Sequence, residues 1–427
     1  MTNTGDNEDT IIKKIAPELE EFYASHNIQL SSLLQTSNNQ EGYRFVRLNP
    51  RYDKKETLEL LRKELDHKFE PLMIPWLDPV WNFYALPHTF GLASSKSFKS
   101  GRVYGMDVSS GAAIAALLSK TYDKIRSNNE PIMQEKCSDE TRVLDLCCCP
   151  GLKLCAMADF LRDKTATVVG VDVSESRMNL CKKIVTKYHI DTDTCGAIGA
   201  LDAMKIQLYC QDGTSFGMNS NHISLVYDSR SAAEEMTVRG KRKRMNKSAR
   251  TRERKRLKML ASTDWQSNHQ KTALQEQSPR IKLFDYVLVD AECSTDGSLK
   301  HMKERLKDRQ TNGEEKNTLL TDQTQLRDLV DLQKRLIASG FRLLKHGGTL
   351  VYSTCSLSHD QNEKVIQWLL ETEPNSFLIP VHFPLAKSKL VVEGSLPGTV
   401  RFYPNLCCES QTEIYGDGFF LAKLGKR

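Results

Sequence analysis

Apolar residues recur along this chain with two periods, and their alternation predicts a layered α/β fold. Ile11 to about Leu30 has helical spacing (Ile11, Ile12, Ile15, Leu19, Phe22). Tyr43 to Leu48 alternates like a strand, Asn49-Pro50 turns the chain, and Thr57 to Leu65 reads as a helix. The Pro- and Trp-containing stretch from Pro71 to Pro87 reads as a packed connector, and Ala112 to Tyr122 as a helix. A different rhythm follows. Short apolar runs at Val143–Leu146, Thr167–Val171 and Ile206–Cys210 read as buried strands, separated by helices at Leu154–Leu161 and through Cys181 to Tyr188. Phe284 to Asp290 is another such run. Leu326 to Leu344 carries a helical apolar side (Leu326, Leu329, Val330, Leu336, Ile337), with Gly347-Gly348 ending it and starting a strand towards Cys355. Gly418 to Ala422 reads as a terminal strand.

The order strand, turn, helix, strand, helix, strand predicts a doubly wound, mostly parallel sheet. In such sheets the residues just past the strands' carboxyl ends line the ligand crevice. Polar and reactive residues sit at those positions. Cys147-Cys148-Cys149-Pro150-Gly151 follows the first buried strand, Asp172 ends the second, and Asp212 follows the third. An acid at the end of the second strand is placed to take a ribose hydroxyl pair. There is no Gly-x-Gly-x-x-Gly, which counts against a dinucleotide. Taken singly, Cys147 to Cys149 read as small residues packed beneath a loop, and it is the ordered set of strand-end residues that points to a ligand. Cys293 and Cys355 lie just past two further apolar runs, so two thiols are placed towards one pocket. One thiol can serve as a nucleophile and the other as a base, although two buried structural thiols would look the same in isolation.

Three segments resemble the NOL/NOP/Sun family of RNA cytosine-C5 methyltransferases. Asp145-Leu-Cys-Cys-Cys-Pro-Gly-Leu-Lys153 resembles that family's Asp-Leu-Cys-Ala-Ala-Pro-Gly-Gly-Lys loop. Asp290-Ala-Glu-Cys-Ser-Thr-Asp-Gly297 resembles its Asp-Ala-Pro-Cys-Ser-Gly-x-Gly. Tyr352-Ser-Thr-Cys-Ser-Leu357, followed by Gln361-Asn-Glu363, resembles its Tyr-Ser-Thr-Cys-Ser and trailing Glu-Asn-Glu. The resemblance implies S-adenosylmethionine as cofactor, held by Cys147, Cys148, Cys149, Pro150, Gly151, Leu152, Lys153, Asp172, Arg177, Asp212 and Asp290. It implies Cys355 as the nucleophile towards cytosine C6, Asp290 as the acid at N3, Cys293 as the residue that releases the product, and Lys153 near the base and cofactor. No metal is implied. Leu152, Leu154 and Glu292 depart from the family pattern. The expected organisation is a disordered tail at 1–10, a small α+β RNA-binding subdomain at 11–100, and a catalytic domain at 101–427 interrupted by a basic, disordered insertion at about 219–280. In the small subdomain Arg44, Arg47 and Arg51 are candidates to reach phosphates.

Charge changes the picture at one place. The net charge is +6, yet residues 239–258 hold twelve Lys or Arg and one Glu, so the remainder sums to −5. Such a run is a nuclear-import signal, an RNA-binding arm or a solvated surface. A nuclear or nucleolar protein is expected, with the cytoplasm as the alternative. A possible import receptor at 239–258 and an RNA substrate (tRNA or rRNA) are the expected partners of a monomer. The polar, acidic start (Met1 to Asp9) is unlike a signal or transit peptide, and no apolar run is long enough to span a bilayer. The cysteines show no paired Cys-x-x-Cys spacing for zinc. Two competitors stand beside the enzyme: a non-enzymatic RNA-binding or ribosome-assembly protein on the same fold, and a DNA cytosine methyltransferase. The latter places its nucleophile in a Pro-Cys motif, unlike the Ser-Thr-Cys-Ser here.

Overall fold

The computed structural model describes residues 43–74, 76–77, 79–127, 140–188, 204–218, 224–229, 281–298, 323–381, 391–402 and 417–427. The predicted tail, the helix at 11–30 and the basic run at 239–258 lie outside the described residues.

A small antiparallel sheet comes first. It contains β1 (Tyr43–Leu48), β2 (Leu72–Met73), β3 (Phe83–Pro87) and β4 (Val103–Gly105) in the order β2-β3-β1-β4. Helix α1 (Lys54–Glu64) starts three residues earlier than its apolar spacing suggests, because Asp53 caps it by accepting from the Glu56 amide at 2.8 Å. The stretch read as a connector supplies β2 and β3, with Phe83 to Leu86 buried between the sheet's two faces. Since β4 pairs with β1, the small sheet extends past residue 101. Arg47 and Arg51 do not reach for phosphates. Both bind the buried Asp159 carboxylate, Arg47 at 2.7 Å, and Tyr104 donates to the same group at 2.8 Å. By alternation Arg47 shares a face with Tyr43 and Phe45, and that face packs against the next layer. Arg44 remains exposed, near the His88 carbonyl.

After the short helix α2 (Lys96–Lys99), α3 (Val108–Ser127) leads into the large sheet. Its parallel core is β5 (Thr141–Asp145), β6 (Ala166–Asp172), β7 (Met204–Cys210), β9 (Phe284–Asp290) and β10 (Leu344–Thr354). Helices α4 (Leu152–Leu161), α5 (Glu175–Lys187) and α6 (Gln323–Leu343) connect them. The spatial order is β10-β9-β5-β6-β7. The chain therefore winds one way from β5 through β6 to β7, then returns to the other side of β5 with β9 and β10. The crevice between the carboxyl ends of β5 and β9 is the topological switch point, the usual ligand site of such sheets.

These strands form because they are covered on both faces. Val143, Val168, Val171, Val287 and Leu288 are fully buried, and each such side chain stabilises the fold by about 1.5–3 kcal/mol. On α6, Leu329, Leu336, Ile337 and Phe341 recur at helical spacing and pack on β9 and β10. The helix stops at Leu343 and the strand begins at once, so Gly347 and Gly348 do not end the helix. They lie in a register shift of β10 between Leu344 and Thr349, where Gly347 takes φ +73°. Helix α7 (Glu363–Thr372) follows β10 and was not anticipated. Antiparallel strands β11 (Ser376–Leu378), β12 (Val391–Glu393), β13 (Val400–Phe402) and β14 (Phe419–Lys426) extend the β10 side of the sheet. On the other edge β8 (Leu225–Asp228) pairs antiparallel with β7. The start of the expected disordered insertion is thus sheet, because Tyr227 finds a buried place beside β7.

Candidate active site

Two loops at the switch point carry the two cysteines. The loop after β9 holds Ala291 to Gly297, and the loop after β10 holds Cys355 to Ser358. Parallel pairing of Ser353 with Asp290 sets the two strand ends level, and the Ala291 amide donates to the Ser353 carbonyl at 3.0 Å. Cys293 Sγ and Cys355 Sγ then lie 3.1 Å apart. Cys293 is buried and Cys355 half-buried. Gly297 lets the loops close: its amide donates to the Cys355 carbonyl at 2.9 Å, and a Cβ there would stand 2.7 Å from that oxygen.

Polar side chains fix both loops from behind. Asp296 accepts from the Leu357 amide at 2.8 Å and from the Ser294 hydroxyl. Gln361 accepts from the Ser294 amide at 3.0 Å and donates to Ser294 Oγ at 2.8 Å. Gln333 donates to the Glu292 carbonyl at 2.7 Å, and Asn362 donates to the Ser356 carbonyl at 2.8 Å. Buried polar groups satisfied in this way hold one geometry. Glu292 itself is exposed, so its departure from the family pattern leaves the loop's inner contacts untouched. Gln333, Asp296 and Arg401 were not singled out from sequence. A glutamine in the middle of the apolar side of α6 was the one visible signal.

Asp290, at the end of β9, accepts from Lys153 Nζ at 2.7 Å and from Ser353 Oγ at 2.7 Å. Burial opposes the Lys153 charge, but the adjoining Asp290 carboxylate more than compensates, and the ammonium is held more firmly than usual. The Cys355 thiol is pushed well up by its hydrogen bond with Cys293, by burial and by the Asp290 and Asp296 carboxylates. Four of the expected residues (Cys355, Cys293, Asp290 and Lys153) therefore meet in one place.

The remaining expected residues line the carboxyl ends of β5, β6 and β7. The Cys148 amide donates to the Val171 carbonyl at 2.9 Å, pinning the loop to β6. Gly151, at φ +105°, turns the chain into α4, which begins at Leu152. Asp172 is buried, accepts from the Ser174 amide at 2.9 Å, and lies 3.3 Å from Arg177 Nη2. Arg177 also donates to the Cys149 carbonyl at 3.1 Å, so it braces the loop. Asp212 is exposed and accepts from the Thr214 amide at 2.9 Å. Cys181, on the inner face of α5 with Met178 and Val185, was not singled out from sequence. It meets Cys148 and Cys149, whose hydrogen bonds lower the Cys181 thiol to about 6.

Unmet polar groups at this end suit a polar ligand. Both oxygens of Asp145 are buried without a hydrogen-bond partner, as is Oε1 of Gln211. Burial, and then the Asp290 carboxylate, push the Asp145 carboxyl up to about 8. A native protein rarely leaves such groups orphaned unless a ligand or solvent completes them. The amide end of α4 and the Asp172 carboxylate complete a cradle suited to a cationic amino acid joined to a nucleoside, which is the chemistry of S-adenosylmethionine.

Known proteins resemble the chain in both sequence and fold. Residues 217–425 match the family described as 16S rRNA methyltransferase RsmB/F. Ribosomal RNA small subunit methyltransferase F of Escherichia coli O9:H4 (strain HS) is 34% identical over 148 residues, covering 34% of this chain and 26% of that protein. Its counterpart in Citrobacter koseri is 37% identical over 146 residues, covering 34% and 26%. The match thus spans about a quarter of the length of these relatives. Among solved structures, a methyltransferase homolog from Pyrococcus horikoshii is similar at TM-score 0.53 and 18% identity, covering 98% of this chain and 99% of that one. NSun6 from Pyrococcus horikoshii gives TM-score 0.57 at 14% identity, covering 96% and 98%. The structural likeness extends over nearly the whole chain, beyond the matched residues, and no described helix is long and apolar enough to cross a membrane. Sequence match and strand order agree: residues 217–425, just under half of the chain, are similar to the RsmB/F methyltransferase family, and the fold is that of S-adenosylmethionine-dependent methyltransferases.

Proposed function

We propose that this protein methylates C5 of cytosine in RNA, with ribosomal or transfer RNA as the substrate class. The observation that carries the reading is the 3.1 Å approach of Cys293 and Cys355 at adjacent strand ends, beside the Asp290–Lys153 pair. Bound in the cradle, S-adenosylmethionine supplies an electrophilic methyl group. Cytosine C5 is too weak a nucleophile to take it unaided. Cys355, once deprotonated, would add to C6, and the electron pair released at C5 would take the methyl group as its bond to the sulfonium sulfur breaks, the neutral thioether being the leaving group. Asp290 faces N3 and draws on the proton held by its partner Lys153. Cys293 then removes the C5 proton, the C5–C6 double bond re-forms, and Cys355 leaves as thiolate. One residue adds while its neighbour releases, which accounts for two thiols where a simple nucleophile needs one.

Cys147 to Gly151 with Leu152 and Lys153 hold the cofactor's amino-acid part in this reading. Asp172 takes the ribose hydroxyls, Asp212 lies at the outer rim, and Arg177 positions the loop. Residues 239–258 serve nuclear import or RNA capture by charge.

A second reading, RNA binding or ribosome assembly with little turnover, is favoured by the raised Cys355 thiol, since only the thiolate adds to C6. One experiment separates the two. The full chain is incubated with methyl-labelled S-adenosylmethionine and RNA, and nucleosides are analysed for 5-methylcytidine. Cys355→Ala abolishes the product. Cys293→Ala stops turnover but leaves a Cys355-dependent protein–RNA band on denaturing gels. Trapping by Cys355→Ala instead reverses the roles, and RNA binding without product in the unaltered protein supports the second reading.

A further inference from the structure

The side chains of Cys148, Cys149 and Cys181 have no task in the reaction proposed above. Cys148 and Cys149 come from the loop after β5, and Cys181 comes from the inner face of α5. All three are buried, and their sulfur atoms lie within 4.8 Å of one another. Among the described residues this is the one group of His, Cys, Asp or Glu so arranged. A buried thiol often serves as a small apolar filler, but filler does not require three sulfurs to converge from two elements. Two glycines leave them the space. A Cβ at Gly151 would stand 2.6 Å from Cys181 Sγ, and one at Gly170 would stand 2.9 Å from Cys148 Sγ.

We infer that Cys148, Cys149 and Cys181 form a three-thiolate site for a soft, thiolate-seeking cation of the Zn2+, Cd2+ or Cu+ class. Soft thiolate sets select such ions. An ion about 2.3 Å from each sulfur holds the sulfurs about 4 Å apart. The present cluster, within 4.8 Å, reaches that spacing by closing about 0.8 Å at most, a movement that side-chain rotation supplies. As three metal–sulfur bonds form, the S–H protons that the three cysteines still carry pass to solvent. The ion ties the cofactor loop to α5, adding metal–sulfur bonds to the packing, the thiol hydrogen bonds and the Arg177 brace that join the two elements. Sequence spacing hid the site because Cys181 is thirty-two residues from Cys149 and the fold alone brings it in.

The test uses the full-length, reduced, metal-free protein titrated with Cd2+ alone. Sulfur-to-cadmium charge-transfer absorption and metal analysis after desalting read the binding. One retained ion per chain is expected. Cys181→Ser and Cys149→Ser should each lose it, whereas a chain with both Cys293→Ser and Cys355→Ser should keep it. Because a variant can fail to fold, the unaltered protein carries a second measurement. Bound Cd2+ should shield Cys148, Cys149 and Cys181 from N-ethylmaleimide in peptide mass spectrometry. No retained ion, or shielding confined to Cys293 and Cys355, overturns the site. The outcome does not depend on methyl transfer, so the two proposals fail separately.

Discussion

Replacing Glu363 by glutamine tests how the loop bearing Cys355 is held. Glu363 begins α7 and pairs with Arg401 of β13, and both side chains are only 2% exposed. Arg401 Nε donates to Glu363 Oε1 at 2.6 Å, Nη2 donates to Oε2, and Nη1 donates to the Leu357 carbonyl at 2.7 Å. That last bond anchors the chain two residues beyond Cys355. Glu363→Gln keeps the volume and removes the charge, leaving a guanidinium buried without its counter-ion. Breaking a buried pair costs about 3–5 kcal/mol. The amide oxygen can still accept from Nε, so the loss belongs at the lower end, about 3 kcal/mol. Urea unfolding of both proteins at pH 7 measures it. The Glu363 carboxyl is held below its ordinary range: burial opposes its charge, but Arg401 outweighs burial. The pair's contribution is therefore complete above the unfolded value of about 4.3 and is lost as pH falls through the lower folded value. The gap between the two proteins should close in that acidic window. A gap at pH 7 below about 1 kcal/mol, the worth of a surface pair, would refute the argument.

Three further outcomes are expected. Alkylation of Cys355 by iodoacetamide should be slow at neutral pH and rise with alkalinity. In Cys293→Ala the curve should move to lower pH, because the largest cause of the raised thiol is gone, and superimposable curves would contradict this. Asp172→Ala should weaken S-adenosylmethionine binding by about 1–3 kcal/mol, and an unchanged dissociation constant in calorimetry would rule out the ribose contact. Deleting residues 239–258 should either move a tagged protein to the cytoplasm with purified activity intact, or flatten the salt dependence of RNA affinity. Neither change would leave the segment without the proposed roles.

The parallel core was legible because its strands are covered on both faces and read as short apolar runs, as at Val168 to Val171. The cysteine, Asp290 and Lys153 positions were legible because reactive residues stood at the ends of those runs. What escaped were partnerships across the sequence. Arg47 looks solvent-facing by its charge, although it shares a strand face with Tyr43 and Phe45, until α4 brings Asp159 over it. Gln333 looks like a flaw on an apolar stripe until the Glu292 carbonyl needs a donor. The strands β8, β11, β12 and β13 are three or four residues long, too short for a period to show, and exist because a neighbouring strand offers its edge.

The Asp159 carboxylate, gripped by Arg47, Arg51 and Tyr104, has a consequence for how this protein can change over generations. Its anchors come from β1, from the turn after it and from β4, while Asp159 itself belongs to α4, just beyond the cofactor loop. Losing the acid would strand two cations in the interior, and losing either arginine would leave the acid under-compensated. Substitutions at these four sites are therefore coupled. The small sheet cannot be exchanged for another lineage's module one residue at a time: the graft must arrive with its own answer to Asp159, or α4 must change in the same step.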